Sequence, residues 1–307
     1  MGRTYVFSRN SVRYMSMNLA APPFDDVHVR RAANYITDKQ AFIKAYGGPL
    51  AGTAPTHVVL DSLEDGQLVG YDPFRSSSPA DALAKAKDEM RLSKYDRKHD
   101  GVCDAKVCQS ILALAFPRQV PAAMDAIRSV AKDLSLIGLK LRITPVDGQT
   151  FFTEISKPEL RIPVGLSPAW SQDFLNASNF MTPLFGSPGV GTPFTVPGSD
   201  PGTCCNFSLV GASPAALRHW GYADSSVPSV DNRIQQCLRL IGRPQLDCWT
   251  ALDQYLTQVV VPWVPLILEN QIAVVPARVV NISFDQFTTL ASLDQVVVRS
   301  PASPAPS

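Results

Sequence analysis

Between Ser110 and Val146 the chain reads strand, helix, strand, and this unit restricts the fold more than any other segment. Ile111 to Phe116 is a compact apolar run, and Pro121 to Leu136 carries Met124, Ile127, Ala131 and Leu134 at helical spacing. Gly138 closes that helix, after which Leu139, Leu141 and Ile143 alternate with Lys140, Arg142 and Thr144. A helical crossover of this length between two strands of one sheet is a βαβ unit, which requires parallel strands. The expected class is α/β.

The rest of the chain fits that frame. After Pro22-Pro23-Phe24, Asp25 and Asp26 can cap a helix whose Val29, Ala32, Ala33 and Ile36 share a face. Asp38 starts a second helix ending at Gly47-Gly48, and Ser78, Pro79 and Asp81 open a third with Leu83, Ala86 and Met90 inward. Phe151 to Ile155 predicts a short helix and Arg161 to Leu166 a strand. Ser167 to Ser229 is rich in Pro, Gly and Ser and reads as irregular. Leu266 to Val275 and Asp294 to Arg299 read as strands, and Pro301 to Ser307 as a disordered tail.

Composition narrows the function. Lys plus Arg number 28 against 27 Asp plus Glu, so no positive field exists to hold nucleic acid. With 307 residues, 45% of them hydrophobic, the chain can build one large or two ordinary domains around a core. The longest apolar stretch, Val259 to Leu268, is broken by Pro262 and Pro265 and falls short of the roughly 20 residues of a spanning helix. Met1 to Asn10 carry charge and no apolar segment of the kind a secretory signal needs. Yet 26 prolines and only 18% charged residues lean toward an exported protein.

Six cysteines form no C-x-x-C pair and the four histidines are scattered, which disfavours zinc. Val230, Ile234, Leu238 and Ile241 share one helical face and Leu252, Leu256 and Val259 another, with Gly242-Arg243-Pro244 between them: a helical hairpin. Cys237 and Cys248 stand at similar heights on its two arms, so a bridge is feasible. Cys103 and Cys108 can close a short loop. Adjacent Cys204 and Cys205 are expected to seek partners elsewhere, and six buried free thiols remain the alternative.

Catalytic motifs fail on chemistry. Gly165-Leu166-Ser167-Pro168-Ala169 imitates a nucleophile elbow, but Pro168 has no N–H to give an oxyanion. Gly186 to Thr192 has the glycines of a phosphate loop without the lysine, and Asp96, Asp100 and Asp104 miss the pattern of a calcium loop. No enzyme and no cofactor are expected. Trp170-Ser171-Gln172-Asp173-Phe174 is different: it follows a strand at the carboxyl end, where α/β crevices form, and sets one carboxylate among two aromatics. That combination suits an ammonium group beside apolar groups, although a capping aspartate beside core rings has the same residue types.

Several segments together resemble the extracellular solute-binding proteins that deliver dipeptides and oligopeptides to ABC importers, family 5. Met17-Asn18, then Pro22-Pro23-Phe24-Asp25-Asp26-Val27-His28-Val29-Arg30-Arg31-Ala32-Ala33-Asn34-Tyr35 and Asp38-Lys39, is similar to the family's signature of an asparagine strand leading into a helix. Trp170 to Phe185 resembles its cleft segment, with Gln172 for the usual alanine and Phe174 for the usual Tyr or Trp. The resemblance implies a lobe of the type II periplasmic-binding-protein fold, a mixed sheet flanked by helices. It makes Asp173 the partner of a ligand α-amino group, with Trp170 and Phe174 beside it.

The match covers only the C-terminal half of a family member. It implies that residues 1–14 are the remnant of a first lobe or hinge, 15–270 the ligand-binding lobe, 271–299 the segment returning to the first lobe, and 300–307 the tail. The expected partners are a peptide or other amine-bearing solute and a membrane ABC permease, and the expected place is the periplasm or cell surface, as a monomer. An interaction or sensory module that kept the lobe but lost transport is the alternative.

Overall fold

The computed structural model describes residues 2–117, 121–192, 204–223, 226–285 and 290–299. The expected tail at 300–307 lies outside them. The chain begins with a long strand β1 (Arg3–Met17), followed by α1 (Val27–Ile36), α2 (Lys39–Tyr46), the short β2 (Gly52–Thr53) and α3 (Pro79–Leu92). Then come β3 (Ile111–Ala115), α4 (Pro121–Ser135), β4 (Leu141–Pro145), α5 (Gly148–Ile155) and β5 (Val164–Ser171). The remainder forms α6 (Ser178–Phe185), α7 (Pro214–His219), α8 (Asp231–Leu238), α9 (Gly242–Tyr255), β6 (Trp263–Val275) and a small ribbon of β7 (Val279–Asn281) and β8 (Val297–Val298). No helix among the described residues is long and apolar enough to cross a membrane.

The main sheet has the order β2-β6-β1-β5-β3-β4. β3 runs parallel to both β4 and β5, so the βαβ unit forms as its periodicity requires. β1 is antiparallel to β5 and β6, which makes the sheet mixed. β1 and β6 pair from Arg3 opposite Val275 to Ser16 opposite Trp263, so neither strand breaks at residue 14 or residue 270.

Local chemistry starts the helices where the sequence places them. The Asp26 carboxylate accepts from His28 N at 2.9 Å, Asp38 from Ala41 N at 2.9 Å and the Ser78 hydroxyl from Asp81 N at 3.1 Å. Gly138, at φ +80° after α4, passes so close to the Cys103 carbonyl that a Cβ would lie 2.6 Å from it.

Alternation along the strands sends side chains to two cores. Met15, Met17, Ile111, Ala113, Ala115, Val164 and Leu166 pack with α1, α2, α3 and α4 on one face. Val12, Tyr14 and Leu114 pack with Phe151, Phe180, Trp249, Leu252 and Trp263 on the other. A bulge interrupts the β1/β5 register between Arg13 and Met15, and Ser167 in β5 takes a left-handed φ of +68° there. Arg13 and Glu269, both buried, join β1 to β6 through Arg13 Nη2 and Glu269 Oε1 at 3.1 Å. Arg13 Nη1 also donates to the Ser167 carbonyl at 2.5 Å, and the Tyr46 hydroxyl donates to Glu269 Oε1 at 2.6 Å.

The signature residues before and in α1 act as backbone clamps. The Asn18 carboxamide donates to Ile162 O at 3.1 Å and accepts from Ala20 N at 3.0 Å. Buried Arg30 donates to Val260 O at 2.9 Å, at the end of the segment that follows α9, and to Phe24 O at 2.6 Å, ahead of α1.

Several expectations need correction. The hairpin turn lies before Gly242, which begins α9, so Ile241 is 87% exposed instead of facing inward. In α8 the buried face is Val230, Ile234 and Cys237, and Leu238 turns outward. A π-helical turn over Leu256–Val260 adds a residue to the repeat, burying Val260 and exposing Val259. Cys204 and Cys205 bond to each other, beside bridges Cys103–Cys108 and Cys237–Cys248; among the described residues no cysteine is free. The stretch after Ser167 that reads as irregular contains α6 and α7, whose apolar residues Phe180, Leu184 and Leu217 are fully buried. The strand expected at Asp294 to Arg299 shrinks to Val297–Val298 behind a 3-10 turn over Leu293–Gln295.

Candidate functional site

β5 carries the candidate site to the edge of the lobe. Trp170 lies in the strand opposite Val12, and the chain leaves the sheet at Gln172, whose N–H donates to Asn10 O at 3.0 Å. Trp170 is partly buried against the second core, while Asp173, Phe174 and Leu175 project outward, Phe174 at 49% exposure. Phe174 and Leu175 thus leave apolar surface in water beside a carboxylate at the strand end.

One buried residue organises the segment. Asn179, near the start of α6, accepts from Asp173 N at 3.0 Å through Oδ1 and donates from Nδ2 to Asp173 Oδ2 at 2.9 Å. Its backbone carbonyl accepts from the Trp170 indole N–H at 3.0 Å. The carboxylate and the indole are therefore fixed from one point in α6, which leaves Asp173 Oδ1 for another donor. Asn176 caps the same turn, accepting from Ser178 N at 2.9 Å.

A hollow of about 300 Å³ opens beside this segment, lined by Phe7, Ser8, Ser62, Gln172, Leu175 and Phe284 among others. Phe7 and Phe284 stack with centroids 4.0 Å apart, giving the hollow an aromatic wall. Buried Gln172 has no hydrogen-bond partner for Oε1, an acceptor left over at the lining. A larger cleft of about 510 Å³, on the helical side, is lined by Lys39, Asp72 and Asp133 among others. Burial pushes the Lys39 ammonium down to about 8, against the opposing pull of Asp72.

Of the residues singled out from the sequence, Trp170, Asp173 and Phe174 sit together at the end of β5. Asn179, Phe7, Ser62 and Phe284 were missed. Asn179 lies six places after Asp173, within the segment that resembles the family's cleft; the others come from distant parts of the chain. The Ser167 hydroxyl, tested as a nucleophile, is buried with no partner, and only its carbonyl is engaged. Asp96, Asp100 and Asp104 accept backbone N–H groups of their own loop.

Comparison with known proteins places this arrangement. Residues 2–192 match the family model for the middle region of bacterial extracellular solute-binding proteins, family 5. The glutathione-binding protein GsiB of Salmonella choleraesuis (strain SC-B67) is 28% identical over 181 residues, 57% of this chain and 31% of that protein. Heme-binding protein A of Haemophilus influenzae is 27% identical over 186 residues, 59% of this chain and 30% of that protein. Among solved structures, the oligopeptide-binding protein AppA of Bacillus subtilis in complex with a nonapeptide superposes with TM-score 0.69 at 13% identity, covering 97% of this chain and 53% of that one. Clavulanic acid biosynthesis oligopeptide binding protein 2 gives 0.68 at 18% identity, covering 97% and 48%. The chain thus spans about half the length of the solved structures it matches. The fold is a type II periplasmic-binding-protein lobe, a mixed sheet between helices. With its matched region covering the signature helix, the βαβ unit and the Trp170 to Phe185 segment, the chain belongs to the bacterial extracellular solute-binding proteins of family 5.

Proposed function

We propose that this chain supplies the amine-binding wall of a cleft that captures short peptides or comparable amine-bearing solutes for an ABC permease, outside the cytoplasm and without covalent chemistry. The observation that carries the reading is the Asp173 carboxylate, held by Asn179 at 2.9 Å and exposed between Trp170 and Phe174. An ammonium group would donate a charge-assisted hydrogen bond to the Asp173 carboxylate while the rings cover the adjoining apolar groups. The hollow next to it offers aromatic area from Phe7 and an acceptor from Gln172 for the rest of a peptide. Relatives named for glutathione and oligopeptide binding support the class, since both ligands carry a free α-amino group. Three disulfides fit an oxidising compartment.

Calorimetric titration of glutathione, trialanine and their N-acetylated forms against wild type and Asp173→Asn tests this. The substitution keeps size and hydrogen-bonding capacity but removes the charge. Where the bound ligand and the flanking rings bury the pair, losing one partner costs about 2–5 kcal/mol, so free-amine binding is expected to fall roughly 30-fold or more. The acetylated ligands have no charge to strand and should change little. Equal losses for both would make Asp173 a structural cap and end the reading.

A further inference from the structure

A separate polar cluster lies beneath the turn that bears Ser62. His57 Nδ1 is 2.7 Å from Asp253 Oδ2 on α9 and 4.0 Å from Glu64 Oε2, and one donor atom from each of the three lies within 4.8 Å of the others. All three are buried, Glu64 and Asp253 completely. Asp253 is fixed by Val58 N at 3.1 Å, Val59 N at 3.0 Å and the Thr257 hydroxyl at 3.0 Å. On the far side of the ring, His57 Nε2 lies 3.2 Å from Asp61 Oδ1.

Neither carboxylate oxygen of Glu64 has a hydrogen-bond partner, although the side chain is fully buried and aimed at His57. His57 Nδ1 and Asp253 already meet at hydrogen-bond distance, and Glu64 faces them with two oxygens that no donor reaches. A divalent cation in place of the His57 Nδ1 proton would give all three groups one shared partner, with Nε2–H then facing Asp61. An imidazole bound to metal through one nitrogen and to a carboxylate through the other is the usual way such a ring is oriented.

We propose that His57 Nδ1, Glu64 and Asp253 bind one divalent first-row transition ion, for which zinc is the probe, and so tie the 57–64 segment to α9. Metal–ligand distances of about 2.0–2.2 Å require shifts of less than about 1 Å from the present spacing. The sequence spacing disfavours zinc because the ligands are remote, with Asp253 196 positions from His57. Folding removes that objection. Ser62 lines the hollow on the same turn, so the ion would also brace one of its walls.

The test uses the purified chain, stripped with EDTA, dialysed and titrated with Zn²⁺ by calorimetry, with thermal melts in parallel. One zinc per chain at about micromolar Kd or tighter is expected, with Tm rising as the site fills. Glu64→Gln should lose at least about tenfold in affinity, since a ligand is removed, and Asp61→Asn about 10- to 100-fold, as an outer partner. The Asp61 side chain is 45% exposed, so that variant should fold even if Glu64→Gln does not. The surface pair His28 and Glu89, 2.7 Å apart, is the competing place for zinc, and His28→Gln should bind as wild type. Absence of stoichiometric zinc, wild-type binding by Asp61→Asn, or loss of binding in His28→Gln overturns the proposal.

Discussion

Asn179 grips Asp173 in both directions, accepting from its backbone N–H at 3.0 Å and donating to its carboxylate at 2.9 Å. The pair converts an exposed strand end into a fixed carboxylate. Asn179→Ala is expected to lower stability by about 1–3 kcal/mol, the cost of leaving a partly buried N–H unpaired. It should also erase the preference for free-amine over acetylated peptides, because Asp173 loses its orientation. Denaturant titration and calorimetry on the same preparation read both; an unchanged preference would show that Asn179 serves the fold alone.

Arg13 and Glu269 meet inside the sheet with side chains 2% and 5% exposed. Glu269→Ala strands the guanidinium and the Tyr46 hydroxyl, and should cost about 3–5 kcal/mol in urea unfolding. The double replacement Arg13→Met with Glu269→Leu should recover a substantial part, since apolar residues of similar volume avoid the desolvation penalty. A double variant as unstable as the single one would show that the pair is worth more than its desolvation costs.

The Cys237–Cys248 bridge spans 11 positions and ties α8 to α9. Closing a loop of that size stabilises by about 3 kcal/mol through the unfolded chain. Cys237→Ser with Cys248→Ser should lower the urea midpoint accordingly without changing the circular dichroism of the folded state. A midpoint equal to wild type would argue that the hairpin is held by Ile234, Leu252 and Trp249 without help from the bridge.

Asp133, on α4, accepts from Asp38 N at 3.0 Å beside the cleft that holds Lys39. Burial raises its carboxyl to about 6; the Asp38 N–H and Lys132 pull it down, while the Asp38 charge pushes it up. A carboxyl raised on folding favours the folded state below its unfolded value of roughly 4, and that contribution is lost as pH rises through about 6. Asp133→Asn keeps an acceptor for Asp38 and removes the titration. Its Tm relative to wild type should therefore climb between pH 4 and 7, as melts in a low-salt buffer series will show; a constant difference would place Asp133 at its ordinary value.

Short-range chemistry was readable and long-range chemistry was not. Asp26, Asp38 and Ser78 cap helices with groups two or three residues away, so the sequence states both partners. The hairpin shows where this fails: its periodicity was right through Ile234 and Leu252, but a single π turn at Leu256–Val260 exchanged Val259 for Val260, and nothing local announces an i to i+5 bond. Adjacent cysteines rarely bond each other, so the sequence leaves the partners of Cys204 and Cys205 open, and the closed pair packs beside Phe207 and Val210.

The amino-acid sequence determined the strand–helix–strand unit, the helix starts, the signature that marks the family and the position of Trp170, Asp173 and Phe174 at a strand end, because periodicity, caps and turns act over a few residues. The tertiary structure decided strand order, the burial of Arg13 against Glu269 and the convergence of His57, Glu64 and Asp253. Those depend on which distant segments the sheet sets side by side, and Arg13 lies 256 positions from Glu269. A charged residue carries the same local signal in solvent and in a core; only the neighbours that folding supplies distinguish the two.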